Sequence, residues 1–182
     1  MPVRKPALHW VHGTWFSPEM KWKIRQETAG DEAAIAQVTA AAFAGKVYAD
    51  GEEAELPAKL RDAGALVLSL VAVEGKTVIG HIAMSPARIG DAKCLGLGPV
   101  SVRPNRQGRG IGSALVNHAL AVAGVYGRGG GALTGDPAFY GRLGFVQDAG
   151  VTHLGTQPRF VQIAGFADPP KGELTFHAAF NE

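Results

Sequence analysis

Hydrophobic and polar positions become regular along the chain from Trp22 onward. The segment 22–27, WKIRQE, alternates apolar and charged residues, which is the pattern of a half-buried strand. The segment 28–31, TAGD, resembles a capping box in which Asp31 replaces the usual Glu or Gln, so it predicts the start of a helix. Apolar residues then recur at helical spacing, namely Ile35, Val38, Ala42 and Phe43.

The middle of the chain predicts a second short helix and a hairpin. The helix is expected over Glu52–Asp62, although Pro57 requires it to start late or to kink. The run Ala65–Val73 has the length and the β-branched residues of a buried strand. A short turn, EGK, leads to a partner strand over Thr77–Ser85, which completes an antiparallel hairpin.

The following strand is interrupted and leads into a glycine-rich turn. Residues 94–102, CLGLGPVSV, contain Pro99, and a proline within a strand indicates a sheet edge or a bulge. A helix follows the turn, and its apolar face is predicted to hold Ile111, Leu115, His118 and Val122. A glycine-rich loop, 124–132, then enters a short strand that contains Ala132.

The last third of the chain predicts one short helix and two strands. In DPAFYGRLGF, residues 136–145, Pro137 suits the first turn of a helix and Gly144 suits its end. Strand-like runs cover 159–166 and 173–180. The order β-α-α-β-β-β-α-β-α-β-β predicts a mixed α/β (α+β) domain, because hairpins replace the strict alternation of a doubly wound fold.

The first 22 residues differ from the rest. They contain all three tryptophans, with His9 and His12 nearby, and show no periodicity. They form either an arm that packs its aromatic residues on the domain or an extension upstream of a natural start at Met20. No third ligand accompanies the two histidines, so no metal site is predicted.

Composition narrows the class of protein. Apolar residues make up 46% of the 182, enough for a core, and a net charge of +2 favours neither nucleic acid nor a membrane surface as a partner. One cysteine, Cys94, excludes an internal disulfide and suits a reducing cytoplasm. No apolar run approaches the ~18 residues of a membrane span, and no secretory signal is recognisable. A cytoplasmic location is therefore expected.

The stretch VRPNRQGRGIGSAL, residues 102–115, predicts an anion site. A helix N-terminus exposes backbone N–H groups and carries partial positive charge, and glycines let an anion approach them closely. The segment brings together three arginines and three glycines, namely Arg103, Arg106, Arg109, Gly108, Gly110 and Gly112. A solvated basic loop is the alternative for the arginines.

Three families use such a turn. A P-loop requires Gly-Lys-Ser/Thr, and here Ser113 follows Gly112 without a lysine. A dinucleotide-binding turn requires a different glycine spacing within a βαβ unit. The segment 107–112, QGRGIG, matches every fixed position of Gln/Arg-x-x-Gly-x-Gly/Ala, the pyrophosphate loop of the GNAT acetyltransferase superfamily.

The chain resembles that superfamily from about Lys23 to its end. LGPVSVRPNRQGRGIGSAL is similar to the coenzyme-A-binding strand, loop and helix, and GDPAFYGRLGF is similar to the Tyr-x-x-x-Gly-Phe segment that follows it. Together with GHIAMSP and GELTFHAAF, these motifs resemble the YhbS-like branch. The resemblance implies an N-terminal arm or extension over 1–22 and one acetyltransferase domain over 23–182. Its sheet would be mostly antiparallel, flanked by helices, with one splayed pair of parallel strands.

The resemblance also implies a binding site for acetyl-CoA as co-substrate. Gly98 and Pro99 would mark the bulge, and the backbone of Val100, Ser101 and Val102 would bond the pantetheine arm. The pyrophosphate would meet the amides of Gln107, Gly108, Arg109, Gly110, Ile111, Gly112 and Ser113. Which of the three arginines contacts phosphate is left open.

For the chemistry, the resemblance implies that a free amine attacks the thioester directly. Tyr140, five residues before Phe145, matches the family's general acid, with core packing as the alternative. Many relatives have Asn where this chain has Ala132, which leaves the position of the Tyr140 hydroxyl less defined. An amide near Val100 or Ser101 would meet the oxyanion.

The general base is not readable from the sequence. Glu53 is the candidate we name, and Glu55 lies beside it; both are expected in the α1–α2 region, where a solvated helix charge is the alternative. His81 could relay a proton to water or be buried in the sheet. His118 and Cys94 are expected to be structural, although Cys94 precedes the cofactor strand.

The predicted function is transfer of an acetyl group from acetyl-CoA to a primary amine of a small molecule or a peptide N-terminus. A non-catalytic acyl-CoA-binding or sensor module on the same fold is the alternative, and an ATP-binding protein is a third reading. The acceptor is unidentified, and a homodimer is left as an option.

Overall fold

The computed structural model describes residues 9–11, 14–16, 21–47, 49, 51–125 and 129–180. The strands are β1 His9–Val11, β2 Thr14–Phe16, β3 Lys23–Gln26, β4 Leu68–Glu74, β5 Thr77–Ile89, β6 Ala92–Val102, β7 Gly131–Thr134, β8 Val151–Thr152, β9 Val161–Ala164 and β10 Gly172–Phe176. The helices are α1 Glu32–Phe43, α2 Leu56–Asp62, α3 Ile111–Val122 and α4 Pro137–Tyr140.

The strands form one mixed sheet in the order β1-β2-β3-β4-β5-β6-β7-β9, and β10 pairs with the far end of β5. Neighbours along this path are antiparallel except β6 and β7, which run parallel. A second, two-residue parallel contact joins β8 to β10. The predicted mixed, mostly antiparallel sheet with a parallel pair is therefore confirmed.

The N-terminal strands extend this sheet beyond β3. β1 pairs with β2, and Trp15 in β2 pairs with Ile24 in β3. His12 and Met20, singled out in the sequence, lie outside the described residues. A division between arm and domain at residue 22 stays a prediction.

The helices cover opposite faces of the sheet. Ile35 and Val38 of α1 pack on one face with Val71, whereas α3 buries Ile111 and Leu115 in the larger cluster on the other face. His118 is also buried, but Val122 is 50% exposed, so its predicted place on the apolar face is wrong. Val122 is the last residue of α3.

The observed element boundaries decide between the two alternatives for α2, in favour of the late start, and correct the predicted end of β5. The second helix begins only at Leu56, with Pro57 in its first turn, because proline has no N–H to give to a helix interior. The hairpin strand β5 continues past Ser85 to Ile89, where its end pairs with both β6 and β10. Within the described residues, we find no helix that is both long and apolar enough to cross a membrane.

Candidate active site

A bulge lies where the sequence predicts it, in β6 opposite β5. Ile82 pairs with Val100 and Met84 with Leu97, so Ala83 alone faces two residues, Gly98 and Pro99. An extra residue on one strand bends that strand and increases its twist. The bulge therefore turns the second half of β6 away from the line of its first half.

Beyond this point β6 and β7 separate. The two strands pair only at Leu95 with Gly131 and at Gly96 with Ala132. The rest of β7 pairs with β9 on its other side. Among the described residues, no strand pairs with the β7-facing edge of β6 after Gly96, so backbone groups there are open to an added strand. The Val102 carbonyl is the exception, because it accepts a hydrogen bond from Gln107 Nε2 at 3.0 Å.

The N-terminus of α3 lies a short turn after this open edge. Gly110 caps the helix in the left-handed region, with φ of 78°, and provides no side-chain cap. The first intrahelical bond runs from the Ala114 N–H to the Gly110 carbonyl, so the amides of Ile111, Gly112 and Ser113 precede the helical ladder. These three N–H groups are free of intrahelical acceptors and suit an anion.

The glycines of the turn have two different roles. Gly108 and Gly110 have φ of 73° and 78°, and a β-carbon on either would point into open space. Gly112 is helical, and its β-carbon would meet Phe139 at 3.4 Å. The backbone N–H of Gln107 already donates to the Pro104 carbonyl at 3.3 Å. Of the backbone N–H groups predicted to meet the pyrophosphate, the ones still open therefore begin at Gly108.

The three arginines of this segment are in different environments. Arg103 Nε donates to the Val78 carbonyl at 2.8 Å, and Arg106 Nη2 donates to Glu74 Oε2 at 2.5 Å. Hydrogen bonding to Arg106, with charge from Arg109, lowers the pKa of Glu74. Arg109 is exposed and has no hydrogen bond or ion pair within the described part of the chain.

Tyr140 is the last residue of α4, the four-residue helix that follows β7. Asp136 caps this helix by accepting the Ala138 N–H at 2.9 Å. The Tyr140 ring meets Phe139 and Phe145 edge to face, with centroids 4.8 and 5.7 Å apart. Ala132 lies in β7, as predicted, and Phe139 lies against Gly112 of α3. Packing thus fixes the ring between two aromatic side chains and beside Gly135, which follows β7.

Comparison with known proteins agrees with this geometry. The model of the acetyltransferase (GNAT) domain matches residues 66–147. The uncharacterized N-acetyltransferase YhbS of Escherichia coli K12 is 33% identical over 140 residues, which cover 71% of this chain and 83% of that protein. The chain belongs to the GNAT acetyltransferase family.

Two solved structures extend the similarity to three dimensions. A GNAT acetyltransferase from Brucella melitensis in complex with acetyl-CoA has 44% identity and a TM-score of 0.76, covering 87% of this chain and 97% of that one. YhbS of Escherichia coli in complex with CoA has 27% identity and a TM-score of 0.81, covering 92% and 96%. The predicted family, branch and fold are confirmed.

Two surface pockets among the described residues, each of about 330 Å³, are not lined by the open edge of β6. One lies between the end of α1 and the segment before α2, and Glu53 lines it. Glu53 accepts the Gly51 N–H at 3.1 Å and lies in a turn, because α2 starts only at Leu56. Glu55 is exposed as the N-cap residue of α2.

The second pocket borders a buried polar chain. Glu27, Arg61 and Ser69 line this pocket, and Ser69 Oγ is 2.9 Å from Nε2 of His81. His81 is fully buried in β5, and burial, with the charge of Arg61, lowers its pKa to about 3. Sequence reasoning missed Glu27 and Ser69; the only local signal is that each is a polar residue in or beside a strand.

The other candidates are structural. Burial lowers the pKa of His118 to about 4, so the imidazole is neutral on the sheet side of α3. Burial raises the pKa of Cys94 to about 11, so its thiol stays protonated. Cys94 pairs with Ala87, and β6 reaches the bulge only after it has paired with β7 at Leu95 and Gly96.

Proposed function

We propose that the protein transfers an acetyl group from acetyl-CoA to a primary amine of a small molecule or a peptide N-terminus. The observation that carries the proposal is continuity. The open edge of β6 leads, through a turn with two left-handed glycines, to three backbone amides at the start of α3. An extended amide-containing arm that ends in a pyrophosphate complements such a path.

The residues present fit acetyl-CoA. Val100 and the Val102 N–H would bond the arm, and the amides from Gly108 to Ser113 would hold the pyrophosphate. The prediction for the Ser101 backbone is wrong, because bonded pairs alternate along an antiparallel ladder and the bond from the Arg103 N–H to the Ile79 carbonyl makes Ser101 and His81 a bonded pair. Open space beside Gly108 and Gly110 leaves room for close approach. The similar Brucella and Escherichia coli proteins were solved with acetyl-CoA and CoA, which supports the same ligand here.

Acetyl-CoA supplies an activated acetyl group as a thioester. The amine nitrogen forms a bond to the acetyl carbon, the carbon–sulfur bond breaks, and Tyr140 gives its phenolic proton to the sulfur. The amine loses one proton to a base or to water. Glu53 is the base candidate that lines a pocket on the α1–α2 side.

A cytoplasmic location and a homodimer stay predictions.

The experiment has two arms. Calorimetry with acetyl-CoA and with ATP tests the donor site. Binding of ATP but not of acetyl-CoA would refute the proposal. Thiol release from acetyl-CoA is then followed with a panel of polyamines, lysine, aromatic amines and peptides with free N-termini. Binding of acetyl-CoA without transfer to any of them would favour the non-catalytic module.

Tyr140→Phe tests the general acid. This variant keeps the ring packing against Phe139 and Phe145 and removes only the hydroxyl. We expect kcat to fall about 10²-fold, since positioned acids contribute 10²–10⁴-fold, with the Kd for CoA unchanged. Phe145→Leu is the control, because it disturbs the same cluster without removing a proton donor. An unchanged kcat in Tyr140→Phe would remove Tyr140 from the mechanism.

A further inference from the structure

A buried chain of hydrogen bonds connects the pocket beside α2 with the centre of the sheet. Arg61 Nε donates to Glu27 Oε1 at 3.0 Å, Ser69 Oγ donates to Glu27 Oε2, and Ser69 Oγ also contacts His81 Nε2 at 2.9 Å. Ser69 and His81 are 5% and 0% exposed. The chain thus runs from groups that line a surface pocket to an imidazole that solvent does not reach.

Counting hydrogens along this chain fixes the tautomer of His81. The Glu27 carboxylate, paired with Arg61, can only accept, so the single Ser69 hydroxyl hydrogen points to Glu27. The Ser69 oxygen must then accept from His81, which places the imidazole hydrogen on Nε2. Nδ1 therefore has a bare lone pair, and no described residue bonds it. Leaving a buried acceptor without a hydrogen bond costs folding free energy. A donor that is not part of the protein, such as a water molecule, is therefore expected at Nδ1.

This lone pair lies beside the strand proposed to hold the acyl arm. His81 is the direct partner of Ser101, one residue beyond Val100. The Ser101 hydroxyl is engaged with Thr39 Oγ1 at 3.1 Å and leaves Nδ1 unpaired. Ser85, on the same face of β5, has the second unpartnered buried polar atom, and its register partner is Gly96. The two orphaned atoms bracket the bulge on the α1 side of the sheet.

We infer that His81, Ser69 and Glu27 form the path that removes the proton from the acceptor amine, with one water between the amine and His81 Nδ1. The inference rests on the proposed function. As the nitrogen bonds the acetyl carbon, its proton passes to the water, which gives a proton to Nδ1. The Nε2 hydrogen moves to Ser69 Oγ, and the Ser69 hydrogen moves to Glu27 Oε2. The path ends at a carboxyl group that borders the pocket and can release the proton to solvent.

The relay forms no lasting imidazolium. Among the described residues, the charged groups that face His81 are Glu27, beside β3, and Arg61 on α2. From α1, β4 and β6 the nearest polar groups are neutral: Thr39, Ser69 and Ser101. Because one proton enters the imidazole as another leaves, burial of a neutral histidine is compatible with this role.

His81→Gln is the central variant, because a glutamine amide reaches Ser69 where Nε2 was but offers nothing at the position of Nδ1. With the best amine of the panel, we expect kcat about 10²-fold lower at pH 7 and an unchanged Kd for CoA. The deficit should shrink toward pH 10 as hydroxide becomes an alternative acceptor for the proton that leaves the attacking nitrogen. Thr39→Val is the matched control, because it removes a buried hydrogen bond outside the path and should leave the pH profile unchanged.

A second measurement does not depend on turnover. Nitrogen-15 NMR of the full chain with labelled histidine should show His81 protonated at Nε2. In Glu27→Gln the amide can donate to Ser69, which frees the Ser69 hydrogen for Nε2 and should shift His81 toward the Nδ1-protonated tautomer. An Nδ1-protonated wild type would overturn the inference.

The remaining outcomes separate the two proposals. Normal turnover by His81→Gln at pH 7 would leave the transfer function standing and refute the relay. A matching loss of CoA affinity in His81→Gln would make Nδ1 a cofactor contact and also refute it. If acetyl-CoA binds but no amine reacts, the transfer function fails, and the proton path fails with it, whatever tautomer NMR finds.

Discussion

The three arginines of the turn before α3 differ in role: two hold the turn in place and one is exposed. Arg103 and Arg106 bond the ends of β4 and β5, at Glu74 and Val78, and so fix the turn. Arg109 is the exposed guanidinium beside Gly108 and Gly110. Of the three arginines in this described segment, Arg109 alone has no hydrogen bond or ion pair, so we predict that Arg109 meets a phosphate.

Arg109→Gln should therefore weaken binding of CoA. Loss of one charged hydrogen bond, about 1.5 kcal/mol, corresponds to a rise in Kd of roughly tenfold, and the effect should decrease with added salt. Calorimetry at two salt concentrations measures it. Arg106→Gln is the control and should leave Kd within about twofold, since that side chain already pairs with Glu74. The reverse ranking would contradict the assignment.

Gly110→Ala should affect both folding and binding. An alanine at φ of 78° costs about 1–2 kcal/mol of unfolding free energy, and its β-carbon enters the space proposed for the pyrophosphate. Gly155→Ala is the matched control, because Gly155 has φ of 74° and open space around it in another loop. Denaturation should show similar losses for both variants, and calorimetry should show weaker CoA binding for Gly110→Ala alone.

Among the elements, α1 shows how a local signal is modified by its surroundings. Asp31 accepts the Thr28 N–H at 2.8 Å, which is one half of the predicted capping box. The helix begins only at Glu32, and Asp31 also binds Arg25 of β3 at 2.6 and 2.9 Å. The segment thus fastens the start of α1 to the sheet, a contact that no helical signal predicts.

Asp31→Asn should destabilise the protein in a pH-dependent way. Hydrogen bonding to Arg25 lowers the pKa of Asp31 far below its usual value, so its stabilisation is present above pH ~4 and is lost as pH falls further. We expect a loss of about 2 kcal/mol at pH 7 and a smaller difference from wild type at pH 3. Urea denaturation at both pH values tests this; an equal difference at both would exclude the ion pair as its cause.

At the scale of the whole molecule, two buried histidines make stability depend on pH. Burial lowers the pKa of His81 to about 3 and of His118 to about 4, whereas the unfolded chain titrates near pH 6.5. Below pH 6.5 the unfolded state binds protons that the native state does not. Stability should therefore fall from pH 7 to pH 5, by roughly 2 kcal/mol for each histidine.

His118→Leu should reduce this dependence by about one proton. Denaturation from pH 7 to pH 5 measures the slope, and His81→Gln should produce a similar reduction from the other face of the sheet. The test compares slopes, so a different stability at pH 7 does not affect it. A wild-type slope retained in both variants would show that other groups are responsible.

Which features could be predicted from the sequence depends on how far apart along the chain the interacting residues are. The bulge at Gly98 and Pro99, the helix after Gly110 and the tyrosine helix follow from local signals, because proline, glycine and caps act within a few residues. Pro57 left a late start or a kink open for α2, and the structure has the late start. The exposure of Val122 and the extension of β5 were not predicted, because they depend on strands and helices distant in sequence.

By itself, the sequence determined the family, the mixed sheet and the series of motifs that predicts a CoA site. Those features are written in contiguous residues and in φ preferences. Only the tertiary structure decided which arginine is available and which polar residues meet. Glu27, Ser69 and His81 come from three strands or their ends, and only strand register and burial bring them into one hydrogen-bonded chain.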